Sequence, residues 1–183
     1  MTVIPYKWTI ERYHQGIEAG IFGEESLELL QGDILVMPPE REPHAYYNSE
    51  IGDYLRGLFR DRAKIREAHP ITLDNNSEPV PDLAIVKPLG EIYRHRHPHA
   101  EDIFLIIEIS NTTLSQDLKE KKLLYAEAGI KEYWVINLNK KELIIFNHLE
   151  NKDYKSMKTY TMGTVSPLAF SELQISVKSL INP

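Results

Sequence analysis

The 183-residue chain contains no cysteine. Disulfides, zinc–thiolate sites, iron–sulfur clusters and thiol nucleophiles are therefore excluded. The sequence also lacks any apolar run near the roughly 20 residues that a membrane-spanning helix requires, and its start shows no signal-peptide core. We therefore expect a soluble, cytoplasmic protein without a membrane partner, in which any metal has oxygen or imidazole ligands.

Basic residues are fewer than acidic residues. The chain has 21 Lys and Arg against 27 Asp and Glu, a formal net charge of -6. This balance argues against a protein that coats nucleic acid nonspecifically, because that mode requires many Lys and Arg contacts to phosphates. It leaves room for carboxylates that hold divalent cations, since the cations then present positive charge to an anionic substrate.

The length and the hydrophobic content of 42% are those of one globular domain, which we expect to span residues 1–183. Apolar periodicity and turn residues predict a mixed α/β fold, with one mixed sheet flanked by helices. The predicted helices are 9–20, 43–62 and 113–129, the last with a Thr113–Gln116 capping box, and the predicted strands are 27–30, 34–37, 71–73, 83–86, 104–107, 132–136, 143–146 and 158–161, before a closing helix or turn at 170–180.

Two acids interrupt apolar strands. Asp82 precedes Leu-Ala-Ile-Val, and Glu108 follows Phe-Leu-Ile-Ile about 20 residues later. A carboxylate in such a run is costly to desolvate unless it is paired, hydrogen-bonded or bound to a cation, so two on adjacent strands suggest a shared ligand. The alternative is that each acid lies at a frayed strand end and faces water.

A lysine falls within the apolar stripe of the helix after Glu108. At 100° per residue Leu114, Leu118 and Tyr125 face inward, with Lys121 near the middle of the stripe. Lysine is rarely buried unpaired, so we expect Lys121 to project toward the end of the Glu108 strand. The alternative is a lysine that reaches solvent and pairs only with Asp117, four residues earlier.

These residues together resemble a known family. Asp82, the string Glu108-Ile-Ser-Asn-Thr-Thr, and the later Asp117, Lys121, Tyr125 and Gly-Ile-Lys-Glu-Tyr-Trp are similar to the Uma-two family of restriction endonucleases, within the PD-(D/E)XK nuclease superfamily. Earlier matches are Glu28-Leu-Leu-Gln-Gly-Asp-Ile and His44. The resemblance covers roughly residues 26–137.

The resemblance implies a restriction-endonuclease-like core and metal-dependent hydrolysis of phosphodiester bonds, with DNA as the expected substrate. Asp82, Glu108 and the Ile109 carbonyl would hold Mg²⁺ or Mn²⁺. The superfamily's Glu-x-Lys is replaced here by Glu108-Ile-Ser110, so the strand lacks the motif lysine. Lys121 matches a helix lysine that substitutes for it in this family.

Further positions of the motif extend the expected site. Glu28 would be an additional acid near the metal, and His44 a phosphate contact or a group that positions the ligands. Asp117, Ser110 and Tyr125 would support these groups. Glu28 as an ordinary hairpin residue and His44 as a surface helix residue remain the alternatives.

Two basic segments remain. The alternating histidines of residues 93–99 could bind a metal, but Pro98 and the surrounding charges favour a solvated loop, with a position over the substrate as a third reading. The run from Arg56 to Arg66 reads as a solvated helix face, or else as a surface that follows phosphates.

Two rival functions remain open from the sequence. Ser110 in place of the lysine would suit a nuclease fold that binds without turnover, and the Trp134 strand with the peripheral hairpin would suit an assembly module. For a nuclease with one site, double-strand cleavage usually calls for a homodimer or a higher homo-oligomer, which we therefore expect.

Overall fold

A computed structural model describes residues 3–74 and 76–183. Its helical segments are α1 (Ile10–Glu18), α2 (Glu42–Phe59), α3 (Leu114–Gln116), a π-helical turn (Asp117–Lys121), α4 (Lys122–Glu127) and α5 (Lys178–Ile181), with 3-10 turns at Gly90–Arg94 and Ala100–Asp102. The strands are β1 (Leu27–Leu30), β2 (Asp33–Val36), β3 (Lys64–Glu67), β4 (Leu83–Val86), β5 (Ile103–Ser110), β6 (Tyr133–Asn137), β7 (Glu142–Glu150), β8 (Asp153–Tyr160), β9 (Thr164–Val165) and β10 (Ile175–Ser176).

The central sheet has six strands in the order β3-β4-β5-β6-β7-β8. Only β5 and β6 pair in parallel, and the other neighbours in this sheet are antiparallel. The parallel pair is joined through α3, the π-helical turn and α4, as a crossover between sheet neighbours requires. The mixed α/β architecture predicted from the sequence is confirmed.

Each face of the sheet carries its own apolar core. Ile107 and Ile109 of β5 pack on the side covered by α2 and α5. Ile106, by the alternation of a strand, faces the opposite side and packs against Leu124 and Tyr125 of α4. Glu108 therefore shares the α4 face with Ile106, within a strand that is apolar because both of its faces are covered.

The N-terminal part packs through a tight hairpin. Gln31 and Gly32, which join β1 and β2, both have positive φ (49° and 80°), as a type I′ turn requires. The Trp8 backbone N–H donates to the Gly32 carbonyl at 2.8 Å. A Cβ at Gly32 would lie 2.9 Å from the Trp8 carbonyl oxygen, so this approach needs glycine. None of the described helices is long and apolar enough to cross a membrane.

Three local predictions were wrong. Residues 71–73 form only isolated bridges, from Thr72 to His99 and from Leu73 to Ser77, and the edge strand is instead β3. The basic run from Arg56 to Arg66 is consequently divided between the end of α2 and β3.

The predicted capping box is also absent from the described contacts, because the Thr113 side chain makes no cap hydrogen bond and donates to Asp117 instead. Residues 170–180 were expected to close the chain as one helix or turn. They contain β10 and the start of the short helix α5.

A buried carboxylate outside the predicted site secures the chain near its C-terminal region. Glu132 is 1% exposed; its Oε1 accepts from the Trp134 indole N–H at 2.9 Å and its Oε2 from the Leu168 backbone N–H at 2.7 Å. Both oxygens are thus needed as acceptors.

We predict that Glu132→Gln lowers the free energy of unfolding by about 1–3 kcal/mol, because the amide nitrogen would face one of the two donors and leave it unsatisfied. Urea denaturation measures the change, with Glu150→Gln at the exposed end of β7 as the matched control. Equal stability of the two variants would contradict the assigned role of Glu132.

Candidate active site

The end of β5 collects side chains from five separate segments. Glu108 lies near the C-terminal end of β5, and Asp82 immediately precedes β4, its antiparallel neighbour. Lys121 ends the π-helical turn, Glu28 lies in β1 and His44 in the first turn of α2. The contacts among them define the candidate site.

Glu108 is the most connected of these groups and is only 2% exposed. Its Oε1 accepts from the Lys121 ammonium group at 3.0 Å and from the Tyr125 hydroxyl at 2.7 Å. The Asp82 backbone N–H approaches Oε2 at 3.4 Å. One oxygen is thus occupied by strong donors, and the other has a single weak contact.

Asp82 is held at the open end of β4. Its Oδ2 accepts from the Ile109 backbone N–H at 2.6 Å and lies 3.1 Å from His44 Nε2. The other ring nitrogen of His44, Nδ1, lies 2.6 Å from Glu40 Oε1. The hydrogen bond to Asp82 raises the pKa of His44 to about 9 against the opposing effect of burial, so the ring is a cation at neutral pH that donates to both acids.

Glu28 belongs to the same cluster rather than to the solvated surface of the hairpin. It is buried, and its Oε1 accepts from the Val80 backbone N–H at 2.7 Å. Burial raises the pKa of Glu28, while attraction to Lys121 acts in the opposite direction and repulsion from Asp82 adds to the rise. The charges of Lys121 and Asp82 therefore both act on Glu28.

A π-helical turn carries Lys121 into the site. Lys121 is 8% exposed and pairs with Glu108, not with Asp117. Asp117 Oδ2 instead accepts from the Ser110 hydroxyl at 2.7 Å and from the Thr113 hydroxyl at 2.8 Å, which ties the turn to the end of β5. π-turns widen the helix locally and are frequent at functional sites.

The charges of Glu108 and Lys121 depend on each other. Burial raises the pKa of Glu108 to about 8; Lys121 opposes that rise, whereas Asp82 and Asp117 add to it. Burial also acts to lower the pKa of Lys121, but attraction to the acids, Glu108 first, outweighs it and the pKa lies above its ordinary value. Lys121 is therefore charged at every physiological pH.

The remaining acceptors at this end of the sheet suit a divalent cation. Among the described residues no donor bonds Asp82 Oδ1, and Glu108 Oε2 has only its 3.4 Å contact. In β5 the backbone groups of even-numbered residues bond toward β6, so those of odd-numbered residues are directed toward β4. The Ile109 carbonyl is therefore directed toward the β4 side, beyond Leu83, where β4 begins.

The described residues contain no group of three or more acid, histidine or cysteine side chains that could hold a metal ion by themselves. Magnesium is commonly held by one or two carboxylates, with water and substrate phosphate completing its octahedron. Two carboxylates and a carbonyl, all with oxygen donors, fit that chemistry.

The structure brings together the residues that the resemblance assigned to the active site, whereas the histidines of residues 93–99 and the run from Arg56 to Arg66 lie elsewhere. Glu28, His44, Asp82, Glu108 and Lys121 converge, and Ser110, Asp117 and Tyr125 hydrogen-bond around them. Two contributors were missed. The Tyr133 hydroxyl donates to the Asp117 carbonyl at 3.1 Å, and the position of Tyr133 on the α4 face of β6 could have indicated from the sequence that it lies near the site. The second is Glu40, which lies four residues before His44 and pairs with it.

The raised pKa of Glu108 predicts a pH-dependent stability of the metal-free protein. A carboxyl whose pKa rises on folding keeps its proton in the folded state, so its stabilising contribution is present at low pH and is lost as pH rises from about 4.5 to about 8. Between pH 5.5 and pH 8.5 the wild type should lose about 1–3 kcal/mol more than Glu108→Gln. Urea unfolding in EDTA measures this, with exposed Glu120→Gln as control. Identical pH profiles for wild type and Glu108→Gln would show that Glu108 does not titrate in this way.

Comparison with known proteins places this geometry in context. The crystal structure of a putative nuclease belonging to DUF820 from Anabaena variabilis superposes with a TM-score of 0.70. The match covers 86% of this chain and 90% of that one at 18% sequence identity, so it concerns the fold. Growth/differentiation factor 15 of Mus musculus is 35% identical over 92 residues, which is 49% of this chain but only 28% of that protein, and this partial match assigns no activity.

The family comparison covers nearly the whole chain. A model described as "Uma2: Putative restriction endonuclease" matches residues 10–178, a range that contains every residue of the candidate site. Together with the nuclease fold, this match indicates a nuclease function. The chain belongs to the Uma2 family.

Proposed function

We propose that this protein is a magnesium- or manganese-dependent endonuclease that hydrolyses phosphodiester bonds in DNA, with its active site at the end of β5. The observation that carries the proposal is the arrangement around Glu108. A buried carboxylate with Lys121 on one oxygen shares the strand end with Asp82, whose second oxygen has no donor among the described residues. A cation-binding pair beside a buried ammonium group suits attack on a phosphodiester.

In this proposal Asp82 Oδ1, Glu108 Oε2 and the Ile109 carbonyl would hold the cation. The cation, when bound, polarises the scissile phosphate and lowers the pKa of water. The other oxygens of both acids are fixed by donors of the chain, so the pair is oriented before the cation arrives. This preorganisation removes the cost of rotating the two carboxylates, of which Glu108 is buried, during binding.

Lys121 supplies the positive charge that the superfamily motif usually places on the strand. Its Nζ lies 3.0 Å from Glu108 Oε1, and its burial strengthens electrostatic interactions with a phosphate at the strand end. In the proposed mechanism it orients the attacking water or stabilises the charge that develops on the phosphate. Ser110, at the motif position, instead fixes Asp117 and so the turn that presents Lys121.

His44 and Glu28 complete the proposed site in different ways. His44, as a cation between Glu40 and Asp82, orients Asp82 and adds positive charge where the nucleic acid approaches. Glu28 contributes a further acid, anchored on the Val80 N–H. The proposal also includes a single nuclease domain, a cytoplasmic location and a homodimer or higher homo-oligomer that presents two sites for double-strand cleavage.

The rival is a nuclease fold that binds nucleic acid or assembles without turnover. The two are separated by incubating the protein with single- and double-stranded DNA and RNA while magnesium or manganese is titrated. Cleavage that needs the cation and disappears in Asp82→Ala supports the enzyme. Binding with equal affinity by Asp82→Ala, and no cleavage by the wild type, supports the rival.

We predict that Lys121→Met lowers the cleavage rate by at least ~10²-fold, the scale associated with losing one preorganised electrostatic group. Methionine keeps the aliphatic packing of Lys121. Without the lysine charge Glu108 can remain protonated, so the fold should persist. Single-turnover cleavage and circular dichroism measure the two effects.

The matched control is Lys122→Met. Lys122 is the neighbouring lysine, and it pairs with Asp153 on β8, away from Glu108. Its loss should change the cleavage rate little. Full activity in Lys121→Met, or an equal loss in both variants, would refute the role proposed for Lys121.

We also predict that millimolar magnesium or manganese raises the melting temperature, because a cation bound only by the folded state stabilises it and relieves the repulsion between Asp82 and Glu108. Differential scanning fluorimetry measures the shift, which Asp82→Ala should abolish. A shift of the same size in that variant would place the cation elsewhere.

A further inference from the structure

A second cationic feature lies outside the residues of the candidate active site. A cavity of about 380 Å³ opens between α1 and the segment that contains residues 93–99. Four histidines and two arginines line it, which is unusual in a chain with a net charge of -6. We call it the His/Arg pocket: His14, Arg94, His95, Arg96, His97 and His99.

Part of this charge is already compensated within the chain. Glu78 accepts from Thr72 Oγ1 at 3.1 Å and lies 2.8 Å from His14 Nε2. Arg96 donates to Asp102 at 2.5 Å, which fixes the segment at the start of β5. These contacts hold the walls of the pocket in place, so the segment is ordered around the cavity and is more than a solvated loop.

Other donors in the pocket have no such acceptor. Among the described residues no hydrogen bond or ion pair engages the ring of His95 or His97. Beside the pocket, Arg66 stacks at 5.7 Å from the centre of the Tyr93 ring, and its buried Nε donates to no acceptor in the described part of the chain. Arg94 pairs with the exposed Glu91 at 3.3 Å, so the lining groups without a partner in the described residues include the rings of His95 and His97.

The basic groups that act on His97 come from several elements. They are His14 of α1, Arg66 of β3 and His69 in the turn after β3, and the acid Glu78 opposes them. Burial lowers the pKa of His97, and the three basic groups lower it further against the attraction of Glu78. An anion in the pocket would reverse this balance and favour the protonated ring.

The pocket adjoins the candidate active site through one short segment. Glu78, which contacts His14 and Thr72 of the pocket lining, donates through its backbone N–H to the Leu29 carbonyl, and two residues later the Val80 N–H holds Glu28 of the active site. Two extended residues span about 7 Å. One short segment therefore connects the groups behind the pocket to the candidate active site.

We propose that the His/Arg pocket binds a backbone phosphate of the nucleic acid, at a position along the strand other than the phosphate that is cleaved. Arginine and histidine donors match phosphate oxygens, and such contacts fix the register of a strand without reading its sequence. Guanidinium and protonated imidazole groups are hydrogen-bond donors and therefore bind anions, and no cluster suited to a metal occurs here among the described residues. The inference rests on the proposed nuclease function, because it takes the same substrate.

The test compares nucleic-acid affinity in two charge-matched variants. The pocket variant is Arg94→Gln/His97→Gln, and the control, which also removes one permanent cation and one histidine, is Lys158→Gln/His148→Gln at exposed positions of β7 and β8. Fluorescence anisotropy with a labelled DNA duplex, without added metal so that no cleavage occurs, is run at pH 6.0 and pH 8.0. The pocket variant should bind at least about fivefold more weakly at pH 6.0, with a smaller difference at pH 8.0.

The outcomes separate the pocket from the active site. Equal affinities of the pocket variant and the control overturn the pocket proposal. Inorganic phosphate that binds the pocket, seen as shifts of the His97 ring signals in NMR, without any loss of DNA affinity in the variant, also overturns it. The proposed function is scored independently by metal-dependent cleavage of bis(p-nitrophenyl) phosphate by the unmodified protein, so either idea can fail while the other stands.

Discussion

A carboxylate in the middle of a covered sheet is expensive to keep unless other groups compensate it, and Glu108 is such a carboxylate. Lys121 and Tyr125 provide that compensation on one oxygen, at 3.0 and 2.7 Å. Replacing the cluster by apolar residues of similar volume would suit stability as well or better. The sheet therefore retains a polar group that its own packing does not require, which points to a ligand at this strand end.

Much of the surrounding architecture serves to place these groups. The antiparallel pairing of β4 with β5 sets Asp82 beside Glu108, and the parallel pairing of β5 with β6 requires a crossover that returns over the same face. That crossover contains the π-helical turn, whose register is fixed by Asp117 on Ser110 and Thr113. The α2 side adds His44, which contacts Asp82, while Lys121 of the crossover contacts Glu108, so the two layers meet at the Asp82–Glu108 pair.

The sequence predicted what periodicity controls. The apolar strands around Asp82 and Glu108 and the inward position of Lys121 follow from alternation and from a 3.6-residue repeat, and the structure has all three. It did not predict the π-helical turn, because inserting one residue into a helical stripe leaves no local signal. Strand β3, Lys-Ile-Arg-Glu, was hidden because three of its four residues are charged and only Ile65 is buried. Glu40 on His44 was equally out of reach, since it depends on how the chain bends before α2.

The most direct measurement of the central claim is a crystal structure with manganese, in which anomalous scattering locates the ion. The account predicts a single strong peak within roughly 2.0–2.3 Å of Asp82 Oδ1, Glu108 Oε2 and the Ile109 carbonyl oxygen, with Lys121 still on Glu108 Oε1. Manganese bound elsewhere, or none at this strand end at saturating concentration, would contradict the assignment of Asp82 and Glu108 as a shared cation site.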